Sequence, residues 1–171
     1  MKKINDLNFF KTDTISLAQK LIGKWIVVKS GNEEIKVQIT ETEAYLGILD
    51  SACHTHNGKR TPRTEAMWNE GGTIFVYLCY GLHYMLNIVS SDTNTPEAVL
   101  IRSSRQANGP AKLTKYLGIT KEYNNQSIIN HPKLSIYDDG IQYSFTSAKR
   151  IGIDYALEKD RNALLRFILT S

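Results

Sequence analysis

The run from Ile35 to Tyr45 alternates with a period of two. Its odd positions read Ile35, Val37, Ile39, Glu41, Glu43 and Tyr45, and its even positions Lys36, Gln38, Thr40, Thr42 and Ala44. Alternation of this kind puts each set on one face of a β-strand. An unbroken register therefore places two glutamates and a tyrosine on the face that begins apolar. Glutamate is rarely buried without a partner. The pair reads either as a general base or metal ligand, or as a strand end reaching solvent or an ion pair with an arginine. A β-bulge near Thr42 would carry Glu43 to the other face.

The chain has 171 residues, 42% hydrophobic and 22% charged, which suits one globular domain with a substantial core. Its net charge of +4 leans toward a polyanionic partner, although charge alone is a weak guide. Two cysteines, Cys53 and Cys79, make no disulfide framework and suit a reducing interior. The basic start, Met1-Lys2-Lys3, has no apolar stretch behind it, so no signal peptide is expected, and no apolar run is long enough to span a membrane.

Thr12 or Asp13 caps an expected helix through Leu17, Leu21 and Ile22 that stops at Gly23. Trp25–Val28 reads as a strand returning through Ser30-Gly31-Asn32 into the carboxylate strand. Residues 47–72 read as a long polar loop carrying Cys53, His54, His56, Lys59, Arg60 and Arg63. Strands follow at 73–79, 82–89 and 98–102, with Tyr80-Gly81 at a hairpin tip. Gly109-Pro110 opens a helix over 111–117, and 121–132 reads as loop. Short strands are expected near 134–137, 142–145, 150–153 and 165–169. Strands outnumber helices and are mostly hairpin-linked, which predicts an α+β fold.

An aromatic at a hairpin tip is lost to the core, so Tyr80 reads as a wedge or stacking platform, or else it packs on a neighbouring loop. Of the aromatics Tyr45, Phe75, Tyr77, Tyr80 and Tyr84, Phe75 and Tyr84 read as core. Tyr45 and Tyr77 could instead hold a planar ligand, with a cation–π contribution for a cationic ring. Lys59-Arg60-Thr61-Pro62-Arg63 offers phosphate contacts, or is a solvated loop. Cys53-His54-Thr55-His56 lacks a second Cys/His pair at zinc spacing.

Together these segments resemble the alkyladenine (3-methyladenine) DNA glycosylase family, the one with the human alkyladenine glycosylase fold. The resemblance rests on Glu41–Gly47, His54, Thr61–Arg63, Gly72–Gly81 with Asn87, Leu100–Arg102, Gly109–Leu113, Arg150–Ile153 and Leu165–Phe167. It implies a single glycosylase domain over residues 1–171: a curved, mostly antiparallel, open barrel-like sheet with peripheral helices. The implied partner is double-stranded DNA containing damaged purines, acted on by a monomer that is intracellular and nucleoid-associated, with no membrane contact and no metal or organic cofactor.

By motif, Glu43 would activate water and Arg102 would position it. Tyr45 and His54 would stack on one face of the flipped base and Tyr77 on the other, while Asn87 would crowd the amine of guanine. Tyr80 would wedge into the duplex, and Lys59, Arg60, Thr61, Arg63 and Lys112 would contact DNA. Glu41 would be structural and lie deeper than Glu43. The family's longer segment after Arg102 is reduced here to Ser103–Asn108. A non-catalytic nucleic-acid-binding protein, and a metal-dependent nuclease using Glu43, His54 and His56, are the alternatives.

Overall fold

In the computed structural model, which describes residues 1–171, an edge strand β1 (Lys2–Lys3) leads into helices α1 (Leu7–Phe10) and α2 (Thr14–Leu21). Asp13 caps α2 by accepting the Ser16 N–H at 2.9 Å. Strands β2 (Trp25–Ser30) and β3 (Glu33–Tyr45) follow, then the long loop with three short 3₁₀ turns. The next elements are β4 (Thr73–Cys79), β5 (His83–Val89), β6 (Ala98–Ser104) and helix α3 (Pro110–Leu117). The chain closes with β7 (Gln126–Ser127), β8 (Leu134–Asp138), β9 (Phe145–Ala148), α4 (Glu158–Asn162) and β10 (Arg166–Leu169).

All strand pairs are antiparallel, in the order β1-β8-β2-β3-β6-β5-β4-β7, with β10 and β9 branching from β3. The expected α+β fold with a curved antiparallel sheet is what the chain adopts. β3 is its corner. The first half of β3 pairs with β2, and the second half pairs with β6 on one side and β10 on the other. No helix is long and apolar enough to cross a membrane.

Helices α2 and α3 cover one face. Leu17, Ala18 and Leu21 of α2 and Leu113 and Leu117 of α3 join Ile74, Val76, Leu86, Ile88, Val99, Ile101 and Phe167 in the main core. On β4 and β5 the core residues are the even-numbered ones, so Phe75, Tyr77, Met85 and Asn87 face the other way. The sheet is thus covered by helices on one side and hollowed into a cavity on the other.

The unbroken stripe expected for β3 does not hold. Val37 and Ile39 lie in the core, but beyond them the core residues are Thr42 and Ala44. Thr42 is tied there, its Oγ1 donating to the Ala18 carbonyl of α2 at 2.8 Å. The cause is a pair of register shifts around Glu41 that leave Thr40 of β3 and Arg102 of β6 without cross-strand partners. Each strand carries one extra residue, so both exchange faces together. Glu41, Glu43 and Tyr45 consequently leave the core face. Glu41 is also not the deeper carboxylate: its side chain is 19% exposed, whereas that of Glu43 is fully buried.

Two expected strands are corrected. Arg150–Ile153 is no strand, because side chains claim its polar groups: Asp50 binds the Arg150 guanidinium and Glu43 accepts the Ile151 N–H. The strand placed at 142–145 begins only at Phe145. Before it, Asp139 accepts from Trp25 Nε1, Tyr143 Oη and the Ile141 N–H, holding a turn. Residues 121–132 are mainly loop, pinned by buried Tyr123, Ile128 and His131.

Phe167 lies under the β3–β10 seam, opposite Thr42 and edge-on to Phe145. Truncating a buried phenylalanine leaves a cavity worth about 3–5 kcal/mol. Phe167→Ala should lower the unfolding free energy by that amount in urea titration.

Candidate active site

The hollow face holds a cavity of about 310 Å³ lined mostly by hydrophobic residues. Its floor is set by strand register. Phe75 pairs with Asn87, Asn87 with Leu100, and Leu100 with Glu43, so these four form one row across β4, β5, β6 and β3. At the usual strand spacing, Asn87 lies about 10 Å from Glu43, room for a flat heterocycle between them. Tyr45 and Tyr77 flank the row, each two residues along its strand.

Glu43 is held at both oxygens. Oε2 accepts the Ile151 N–H at 2.7 Å, and Oε1 accepts the Tyr45 hydroxyl at 3.1 Å. Arg102 reaches 4.0 Å from Oε1, while its Nε lies 3.5 Å from Glu41 Oε2. Burial pushes the Glu43 carboxyl above its ordinary range, and the Ile151 N–H, Arg102, Tyr45 and Arg150 only partly oppose that. Such a group is a stronger base than an exposed glutamate. Burial also raises the phenols of Tyr45 and Tyr77. Glu41 is neutralised from two sides, by Arg102 and by Arg166 at 3.3 Å, which fits the structural role expected of it.

His54 stands at the opposite wall. Its ring meets Tyr77 edge to face, with centroids 4.6 Å apart. A base entering between them requires the two rings to part. Burial, with Arg63 and Lys59 nearby, lowers the His54 pKa and favours the neutral imidazole. Asn87 donates its amide to the Phe75 and Met85 carbonyls at 3.2 and 3.4 Å, which fixes its orientation.

Glu43, Arg102, Tyr45, His54, Tyr77 and Asn87 therefore line one cavity, with Arg63 and Tyr80 at its edge. Tyr80 is 91% exposed. Tyr80 and Gly81 have φ of 52° and 66°, and the Leu82 N–H closes the turn on the Cys79 carbonyl at 3.0 Å. Two consecutive positive φ values give the tight hairpin turn, which glycine adopts readily and tyrosine does not. Leu78 and Leu82 are exposed beside it.

Lys59, Arg60, Thr61 and Lys112 lie outside the cavity lining. Arg60 is not free: it binds Glu65 through two nitrogens at 3.0 and 2.6 Å and lies over the Trp68 ring. Thr61 gives its N–H to Thr64 Oγ1 at 2.9 Å. No group of three His, Cys, Asp or Glu side chains converges as a metal site, so Glu43, His54 and His56 do not form one.

Sequence reasoning missed the support behind Glu43. Arg150, buried, makes a bidentate pair with buried Asp50 at 2.6 and 2.9 Å and donates to the Ala44 carbonyl at 3.0 Å. Its guanidinium carbon lies 4.9 Å from the centre of the Tyr45 ring. The pair locks the loop beginning at Gly47 to the segment that supplies the Ile151 N–H. Phe75, assigned to the core, is buried but forms part of the cavity wall.

The model of the methylpurine-DNA glycosylase (MPG) family matches residues 8–106 and 103–171, in two pieces that overlap where the chain is short after Arg102. A relative from Borrelia garinii subsp. bavariensis, assigned by name as a 3-methyladenine DNA glycosylase, is 44% identical over 176 residues, 96% of this chain and 95% of its own. Relatives with the same assigned name from Natranaerobius thermophilus and Clostridium perfringens are 37% and 35% identical, covering 96% and 95% of this chain and 94% and 93% of theirs. The chain belongs to the methylpurine-DNA glycosylase family.

Removing one partner of a buried ion pair strands the other charge, at a cost of about 3–5 kcal/mol. Asp50→Ala should destabilise the fold by that amount in chemical denaturation.

Proposed function

We propose that this member of the family is a single-domain, monomeric DNA-repair glycosylase. It flips an alkylated or deaminated purine out of duplex DNA and hydrolyses its N-glycosidic bond. The observation that carries this is Glu43: a fully buried carboxylate, held at both oxygens, in the wall of an aromatic-lined cavity beside an exposed aromatic tip.

A base inside a duplex is out of reach, and extruding it costs a few kcal/mol, least for a damaged base. Tyr80, with Leu78 and Leu82 beside it, fills the gap in the stack. In the cavity the aromatic walls favour a methylated, cationic purine. Asn87, its amide already committed to backbone, crowds the exocyclic amine of guanine. Glu43 takes a proton from water as the water attacks the anomeric carbon, and its charge stabilises the oxocarbenium-like transition state. Arg102 orients the water and the sugar. No lysine lines the cavity to offer an amine for a Schiff base, which supports a hydrolytic reaction without strand cleavage.

A non-catalytic binder gains nothing from a desolvated carboxylate that opposes burial. The nuclease alternative lacks a converging ligand set.

Wild-type protein should release base from a duplex with one methylated purine, and Glu43→Gln should bind that duplex but release nothing. Release persisting in the variant defeats the mechanism. Because the base must be ionised and Glu43 is raised above the ordinary value of 4.5, kcat/KM should fall as pH drops through that raised pKa. The acid limb of the pH–rate profile of the wild-type protein should therefore lie above 4.5.

Tyr80→Ala should weaken binding to lesion duplex by about 1–3 kcal/mol, the range for base–aromatic stacking. Unchanged affinity by fluorescence anisotropy would remove the wedge.

A further inference from the structure

The turn after Ile151 leaves an aromatic at the mouth of the cavity that neither the core nor the chemistry above employs. Ile153 and Ala156 are buried with Ala52 in a small cluster against Tyr45, and the Ala156 N–H closes the turn on the Ile153 carbonyl at 3.0 Å. Between these anchors, Tyr155 lines the cavity yet is 68% exposed. Its hydroxyl donates to the Ala52 carbonyl at 2.8 Å, on the loop that continues into Cys53 and His54. The ring is thus held at its backbone end by a buried turn and at its tip by a hydrogen bond, while most of its surface stays wet.

We propose that Tyr155 is a substrate-contacting residue whose ring covers the flipped purine at the cavity mouth. This rests on the function proposed above. A ring fixed in advance loses little rotamer freedom when a ligand covers it, and a tyrosine ring offers a large flat surface to stack on. The surroundings favour a base over a phosphate. Ile151 and Leu157, on the same segment, are exposed and apolar, and the exposed charges nearest Tyr155 in the chain are Asp154 and Glu158. The cavity's cations, Arg63 and Arg102, come from the 3₁₀-turn loop and from β6. The Tyr155 segment itself puts no cation into the cavity lining, its exposed Lys159 and Arg161 lying beyond it in α4.

The test uses two duplexes and the Glu43→Gln background, so that no base is lost during measurement. One duplex carries 1,N6-ethenoadenine; the other carries a tetrahydrofuran abasic analogue, which has the flipped sugar position but no base. Tyr155→Ala should weaken binding to the ethenoadenine duplex about tenfold, within the range for one base stacked on one aromatic, and leave the abasic duplex unaffected. Tyr155→Phe should bind both duplexes as its parent does, because the ring remains. Equal losses on both duplexes overturn the proposal, since they would mark a latch or a backbone contact. So does no loss on either duplex. A Tyr155→Phe loss as large as that of Tyr155→Ala also overturns it, by assigning the effect to the tether. Failure of the glycosylase reading itself is seen separately, as absence of base release by wild-type protein.

Discussion

Between Ile39 and Thr42, β3 and β6 each carry one residue without a cross-strand partner, Thr40 and Arg102. Everything at the site follows from that double irregularity. Without it, Glu41 and Glu43 would continue the face that packs under α2, where a carboxylate has no partner and a large desolvation cost. With it, Thr42 and Ala44 take over the core positions and Glu43 turns into the cavity. The bulged residue on the partner strand is itself Arg102, whose guanidinium reaches both glutamates. One local defect thus re-aims the candidate base and brings its cation beside it, a use of bulges known from strands near functional sites.

The electrostatics of the cavity rest on a division of labour between two carboxylates. Glu41 is neutralised by two arginines and stays partly exposed, so it stabilises the β3–β6–β10 junction. Glu43 has no close ion pair. It is held by an N–H and a hydroxyl, and burial outweighs what favours its charge. A carboxylate satisfied by neutral donors keeps its basicity, whereas one clamped by a close arginine loses it. The close pairing goes one layer back, to Asp50 and Arg150, where it fixes two loops without pairing off the Glu43 charge.

The outline of the fold was legible in the chain because strand periodicity, turn residues and helix caps are local. Asp13, Gly23, Gly109-Pro110 and the Tyr80-Gly81 tip stand where the sequence places them. Expectations failed where polar groups were claimed from far away. Arg150–Ile153 has an apolar alternation that suits a strand, but its partners lie about a hundred residues upstream at Glu43 and Asp50, and no local pattern reports them. Phe75 reads as core because it is apolar in an apolar strand. That its side chain faces a cavity is decided by the sheet it joins, through β5 and on to β6.

The sequence by itself determined the residue types, the α+β class and the family resemblance, with Glu43 singled out beside Tyr45. It also determined that β3 would alternate, since alternation is a property of any extended chain. Only the tertiary structure decided which face each residue takes beyond the bulge, because a register shift depends on the pairing of two strands. Likewise it decided that Glu43 rather than Glu41 is the desolvated carboxylate. Burial is a sum over neighbours brought together from β6, β10 and the Arg150 segment, and that sum exists only once the chain has folded.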